Sequence, residues 1–506
     1  MLRMGAIIAG ALALASAAQA QDTTVKVESG VLAGAQTDRA RIFKNVPYAA
    51  PPVGDLRWAP PQKPLPWPGA RDATTNGPSC PQQMKPDGTP NEGSANGPIS
   101  EDCLQLNVFA PLKEKLGGKA PVMVWLHGGS HRTGAGWIYD GQNFARDGVV
   151  LVSINYRLGP LGYFAHPVLT KAAGKTEALG SYGLMDQIAA LEWVQRNIAA
   201  FGGDPKNVTV FGESAGGMST LAILATPKAK GLFQKAAVQS GGGWSAPTTL
   251  ADKEAAGVAV AAKLGLENAG GADLRAVPAE RLVAETLTDD YGPFVDGRLL
   301  KETPSQAFAA GRETDVPLII GANSGEDSLM GRSLPNASAM AAAIPAPAKA
   351  AYASEAAKGD EALVRAAFGD RFMVAPARWI AAEAANGKPA WLYHFSYVGS
   401  RFRPMGVTSA AHAAEIQYVF EYWGRRTPES MVAADDKAMA KLMHGCWVAF
   451  AKTGAPNCDI VWPAYDPVKD QLVEFGAQSG VRDGFRKGQL DVQQAAVLPT
   501  LSLPAN

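Results

Sequence analysis

Ser214 is the residue in this chain best placed by its neighbours to act as a nucleophile. It stands in the middle of Phe211-Gly-Glu-Ser-Ala-Gly-Gly217, directly after the β-type run Asn207-Val-Thr-Val210 and directly before a helix-compatible run, Met218 to Ala225. Strand, tight turn and helix form the context in which Gly-x-Ser-x-Gly makes a nucleophile elbow. A side chain at Gly212 or Gly216 would clash in so tight a turn. The turn lifts Ser214 to the head of a sheet, with a helix N-terminus beneath it to favour developing negative charge. A serine hydroxyl alone is a weak nucleophile. It needs a positioned base, a group that orients the base, and N–H donors for the oxyanion.

Candidates for those parts follow in the chain order serine, acid, histidine that such a sheet predicts. Of the six histidines, His412 is the best base: it lies in a loop, Ser409-Ala-Ala-His-Ala-Ala-Glu415, after the strand at Trp391 and before an apolar segment. His394 alternates within a strand, His444 falls on a helical stretch and His166 precedes a proline. The acid is expected after the strand Pro317-Leu-Ile-Ile320, in Gly321-Ala-Asn-Ser-Gly-Glu-Asp327. Spacing alone does not choose between Glu326 and Asp327, and an acidic pair that caps a helix is the other use of such residues. Oxyanion donors are expected from His127-Gly-Gly-Ser130, through the N–H groups of Gly129 and Ser130, together with the Ala215 N–H after the nucleophile.

The elements that must position these residues read as alternating strands and helices. Val122 to Leu126 and Val149 to Ile154 are continuous apolar runs of the kind buried on both faces. Val208 to Phe211, Ala236 to Gln239, Pro317 to Gly321 and Trp391 to Phe395 extend the strand series, and Gly183 to Ile198 has helical apolar spacing. The pattern predicts an α/β fold, with a mostly parallel central sheet covered by helices on both faces. A small hairpin is predicted at the start, Val25 to Leu32. Residues 245–312 and 328–388, rich in alanine and charge, are expected to be helical insertions over the carboxyl ends of the strands, forming a cap or gorge wall. Residues 21–506 are expected to form one domain with these insertions.

The bulk properties exclude some classes. Lys+Arg and Asp+Glu are both 47 in 506 residues, so the basic footprint of a nucleic-acid binder is missing. Residues 1–20 read as a signal peptide, with Arg3, the apolar stretch Gly5 to Ala17 and the small-x-small site Ala18-Gln19-Ala20. An exported protein, secreted or periplasmic and without a membrane anchor, is the expectation. Four cysteines in an exported chain are expected to be bridged. Of three possible pairings, Cys80 with Cys103 and Cys446 with Cys458 is favoured, although Cys446 also suits a lone buried thiol in a helix.

Several longer segments carry a family resemblance. Phe201-Gly-Gly-Asp-Pro-Lys-Asn-Val-Thr-Val-Phe-Gly-Glu-Ser-Ala-Gly-Gly217 resembles the active-serine signature of the type-B carboxylesterase/cholinesterase family. Glu101-Asp-Cys-Leu-Gln-Leu-Asn-Val108 is similar to its second signature. Pro47 to Trp58, Asn155-Tyr-Arg157 and Ala451 to Asn457 resemble its other recurring segments. The matches run from about residue 25 to 475.

This resemblance implies an α/β-hydrolase fold and a serine esterase acting on a small-molecule ester through an acyl-enzyme, with no metal or organic cofactor. In the family pattern Gly-x-Asn-x-x-Glu the acid is the last residue, which implies Glu326. A histidine three residues before a glutamate implies His412, ahead of Glu415. The second signature's cysteine implies the Cys80–Cys103 bridge. The chain departs from the pattern at Ser130, which replaces a glycine. His131 stands where an aromatic is common and is read as a pocket residue, and Asp327 stands where glycine is frequent. No aromatic residue lies between Cys80 and Cys103, which argues against choline esters. The alternatives are a lipase for longer acyl chains and a non-catalytic adhesion protein on the same fold.

Overall fold

The computed structural model describes residues 23–84, 95, 97–175, 177–244, 246–287, 289–424 and 427–503. The predicted signal peptide lies outside the described residues. The hairpin expected at the start forms from β1 (Thr24–Val27) and β2 (Gly30–Ala33) and, with β5 (Ala70–Asp72), makes a small three-stranded sheet. The remaining strands are β3 (Ala35–Gln36), β4 (Arg41–Pro47), β6 (Gln105–Ala110), β7 (Ala120–Leu126), β8 (Val150–Ile154), β9 (Gly203–Glu213), β10 (Lys235–Gln239), β11 (Leu318–Asn323), β12 (Ala390–Phe395), β13 (Gln471–Phe475) and β14 (Gly480–Asp483). They form one sheet of eleven in the order β14-β13-β12-β11-β10-β9-β7-β8-β6-β4-β3. The strands from β8 through β13 pair in parallel, and the antiparallel pairs lie at the two margins. The mostly parallel α/β-hydrolase sheet expected from the sequence is the one found.

Register is what matters for function. Leu126 pairs with Gly212, Glu213 with Gln239, and Gln239 with Gly321. The carboxyl ends of β7, β9, β10 and β11 therefore finish side by side, and the turns that leave them share one edge of the sheet. Strands β8, β10, β11 and β12 are buried at every residue, as two helix-covered faces require.

The helix predicted near Gly183 to Ile198 spans Tyr182–Asn197, and most of its circumference is buried. It packs against β9 and the helix Ala215–Leu224. Asp186 on this helix holds Arg157, which follows β8, through two side-chain hydrogen bonds of 2.8 Å, and accepts the Arg157 N–H at 3.0 Å.

The two predicted insertions are helical, but the second one divides. Ala337–Ala343, Ala346–Ala351 and Asp360–Gly369 form a satellite with its own small core around Tyr352, Leu363 and Val364. The last helix, Ala375–Ala384, instead packs on β11 and β12. It belongs to the sheet because parallel neighbours need a crossover that covers a face. Both expected disulfides are present, Cys80–Cys103 and Cys446–Cys458.

Asp186→Asn should expose how far the site's scaffold depends on the Arg157 pair. Both side chains are almost fully buried, and an uncompensated buried guanidinium costs about 3–5 kcal/mol. Urea unfolding is expected to show a loss of that order; an unchanged midpoint would mean the pair is dispensable.

Candidate active site

β9 ends at Glu213 and the helix Ala215–Leu224 begins two residues later. Between them Ser214 is held at φ 55°, ψ −123°, a conformation L-residues rarely adopt. Its N–H donates to Gln239 O at 2.9 Å, which ties the elbow to the end of β10. The neighbouring glycines are needed for contact rather than flexibility alone. A Cβ on Gly216 would sit 1.9 Å from Leu126 O, and one on Gly212 would sit 2.6 Å from the Gly216 carbonyl carbon. Their absence lets β7 close against the elbow.

The turn after β7 runs along the same edge. Gly129, Ser130 and His131 have φ of 106°, 55° and 54°, and Gly129 O accepts from the N–H groups of Arg132 and Thr133 at 2.9 and 3.0 Å. Gly128 lies against the elbow: a Cβ there would be 3.1 Å from Ser214 Cβ and 2.7 Å from Glu213 Oε2. Tyr156, in the segment Asn155-Tyr-Arg157, supports the turn from below. Its hydroxyl donates to His127 O at 2.6 Å and its ring stacks on the His127 imidazole at 4.4 Å. His131 lies under the helix Ala215–Leu224, with Nε2 2.9 Å from Ser219 Oγ. Burial pushes its pKa down to about 3, so it is neutral.

Glu326 and His412 meet on the other side. His412 Nδ1 lies 2.5 Å from Glu326 Oε2. Glu326 Oε1 accepts from the Ser240 hydroxyl at 2.6 Å and from the Asn323 N–H at 2.7 Å. The loops carrying acid and histidine are laced together throughout. Gly325 N–H donates to Ala410 O at 2.7 Å, Ala410 N–H to Ser324 Oγ at 2.9 Å, and His412 N–H to Ser328 Oγ at 2.9 Å. Asn323 Nδ2 donates to Ala411 O at 2.9 Å and also to Glu415, whose other oxygen accepts from Gln239 Nε2 at 2.9 Å. Asp327, the alternative acid, faces away towards Arg365.

His412 is thus surrounded by carboxylates. Its Nε2 lies 3.1 Å from Glu213 Oε1, on the residue before Ser214. Burial opposes protonation of the imidazole, but Glu213, Glu326 and Glu415 outweigh it and push the pKa up to about 9. Burial also raises the Glu415 pKa, against the hydrogen bonds from Asn323 and Gln239. The buried Tyr393 phenol faces all three glutamates and is held protonated by its burial and by their charge. Spacing did not find Ser240, Gln239 or the Glu213–His412 contact. For Gln239 and Ser240 the signal was a polar pair directly after the apolar run Ala236 to Val238.

Large apolar side chains stand open around this edge. Met218, Leu329 and Phe372 are 46, 46 and 49% exposed. They lie respectively on the helix Ala215–Leu224, on the turn after Glu326, and on a π-helical turn, Asp370–Val374. The Phe372 carbonyl abuts Gly242, two residues before Trp244. Elsewhere, Asp147, Glu421 and His444 bring ligand atoms within 4.8 Å of one another. Arg146 already bonds both carboxylates there, at 2.7 and 2.5 Å.

With this geometry in view, comparison with known proteins is decisive: the family model described as "Carboxylesterase family" matches residues 21–493. The chain belongs to the carboxylesterase family. Fumonisin B1 esterase of Sphingopyxis macrogoltabida is 35% identical over 94% of this chain and 91% of its own. Para-nitrobenzyl esterase of Bacillus subtilis is 35% identical over 87% and 92%. Among solved structures, a carboxylesterase of Geobacillus stearothermophilus superposes with a TM-score of 0.80 at 32% identity, covering 94% of this chain and 100% of that one. This carboxylesterase family member is a hydrolase of carboxylic esters. Among the described residues, no helix is long and apolar enough to cross a membrane.

The carboxylate cluster makes a direct prediction. In the free protein the His412 imidazole should titrate near pH 9, protonated below and neutral above. Glu213→Gln removes one facing charge and should lower the midpoint by about 1–3 units. NMR titration of the histidine ring reads both; a wild-type midpoint near the ordinary imidazole value would sink the argument.

Proposed function

We propose that Ser214, His412 and Glu326 hydrolyse the ester by acyl transfer. Ser214 Oγ attacks the ester carbonyl and its proton passes to His412 Nε2, the ring nitrogen not held by Glu326. N–H groups of Gly129, Ser130 and Ala215 receive the oxyanion. The C–O bond then breaks, His412 protonates the departing alcohol, and water repeats the sequence on the acyl-enzyme to release acid and free serine. The observation that carries this reading is the 2.5 Å contact of His412 with a buried Glu326 beside the strained Ser214 elbow.

The same carboxylates that raise the imidazole pKa stabilise the imidazolium formed as Ser214 attacks. The cost is a small share of free base at neutral pH, so turnover favours alkaline conditions.

For the substrate, we infer esters with a bulky apolar portion, accommodated by Met218, Trp244, Leu329 and Phe372. Relatives named for fumonisin B1 and a para-nitrobenzyl ester support bulky esters as the class to test. The aromatic-free stretch between Cys80 and Cys103 argues against quaternary-ammonium esters. We further infer export, with cleavage near Ala20; the two disulfides support an oxidising destination.

Ser214→Ala and His412→Gln should each lower kcat on a p-nitrophenyl ester by about 10⁴-fold or more, with Ser214→Ala also losing fluorophosphonate labelling. Either variant within tenfold of wild type would overturn the assignment. The wild-type rate should climb with pH towards about 9; a flat profile from pH 5 to 8 would count against His412 as the base.

A further inference from the structure

The turn that carries Glu326 is supported from two sides, and the sheet provides only one. Inward, Ser240 and Asn323 hold its carboxylate. Outward, the turn leans on the satellite helix Asp360–Gly369: a Cβ on Gly369 would lie 3.5 Å from Glu326 Cβ and 3.8 Å from Asp327 N. Met330, at the end of the turn, packs against the satellite core of Leu363, Val364 and Ala367. From this helix Arg365 reaches back. Its Nη1 donates to the Asp327 main-chain oxygen at 3.2 Å and lies 3.6 Å from the Asp327 carboxylate. Its Nε donates to Glu361 at 2.8 Å, which aims the guanidinium. The Arg365 side chain is only 18% exposed.

We propose that Arg365 is a positioning residue: it pins the main chain at Asp327, one residue past the acid, so that Glu326 meets His412 at hydrogen-bonding distance. This rests on the reading of Glu326 as the catalytic acid. A five-residue helical turn, Glu326–Met330, has little internal stiffness of its own. A displacement of about 1 Å at a catalytic group can cost about 10²-fold in rate. Arginine suits the task because its planar fork holds a carbonyl and a carboxylate together, whereas lysine offers a single point charge. The pairing also counters the charge of Asp327, the carboxylate next to Glu326. The groups facing His412 itself are Glu213, Glu326 and Glu415, with the Tyr393 phenol facing the same three carboxylates. The satellite thereby supports the acid.

The test uses the mature full-length protein, with active sites counted by fluorophosphonate titration. Arg365→Met should lower kcat per titrated site about tenfold, leave KM within about twofold, and lower the apparent pKa of kcat/KM as the Glu326–His412 contact loosens. Arg365→Lys should fall between, at about a threefold loss. A lower melting temperature with unchanged kcat and pKa in Arg365→Met would mean a merely structural role and overturn the proposal. Should Arg365→Met fail to fold, Arg365→Lys decides, and an unchanged kcat there overturns it. Glu326→Gln separates the two readings. If it turns over normally, the acid assignment fails; if it is inactive while both Arg365 variants are normal, only the clamp fails.

Discussion

The site depends on four parallel strands ending level. β7, β9, β10 and β11 are held in register by main-chain hydrogen bonds, so the turns after Leu126, Glu213, Gln239 and Asn323 emerge along one edge. That alignment puts Gly128 against the Ser214 elbow and the Ser240 hydroxyl on Glu326 without any side chain reaching far. Closeness is limited by Cβ atoms, and the elbow glycines remove them where β7 and β9 would otherwise collide. The strained backbone at Ser214 persists because Gln239 holds its N–H and the buried helix beyond it leaves no room to relax.

On this frame the electrostatics are concentrated. One imidazole lies among three buried or nearly buried glutamates, an arrangement costly for folding unless each carboxylate is bonded. Polar groups from the strand ends bond Glu326, through Ser240 and the Asn323 N–H, and Glu415, through Gln239 and the Asn323 amide. Asn323 serves both, which gives a physical reason for the asparagine in Gly321-Ala-Asn-Ser-Gly-Glu326. Protonation of the histidine relieves the accumulated negative charge, which suits the role of base proposed for it.

The other histidines show how burial sorts one residue type. His131 and His394 are enclosed, and burial lowers the pKa of each. His166 caps a short helix by accepting the Val168 N–H, while His444 lies between Val419 O and Asp147. Only His412 has a ring nitrogen on a buried acid and the other beside the elbow.

How much of this was legible in the chain follows from how local each feature is. The elbow could be read because strand, turn and helix are contiguous, so glycine spacing and apolar patterning specify it within about twenty residues. The parallel sheet was legible for the same reason, through runs too apolar for a solvated face. Spacing could not separate Glu326 from Asp327, since neighbours in a turn differ only in which way they face. Family resemblance favoured Glu326, and the fold turns it inward to Ser240 while Asp327 meets Arg365. Nor could local pattern assign the helix Ala375–Ala384 to the sheet, because its composition matches that of the satellite before it. Glu213 with His412, Ser240 with Glu326 and Glu415 with Gln239 join positions 199, 86 and 176 residues apart in the chain. Sequence alone determined the Ser214 elbow and the kind of sheet that presents it. Tertiary structure decided which polar groups surround the histidine, because those contacts exist only once separate strands share an edge.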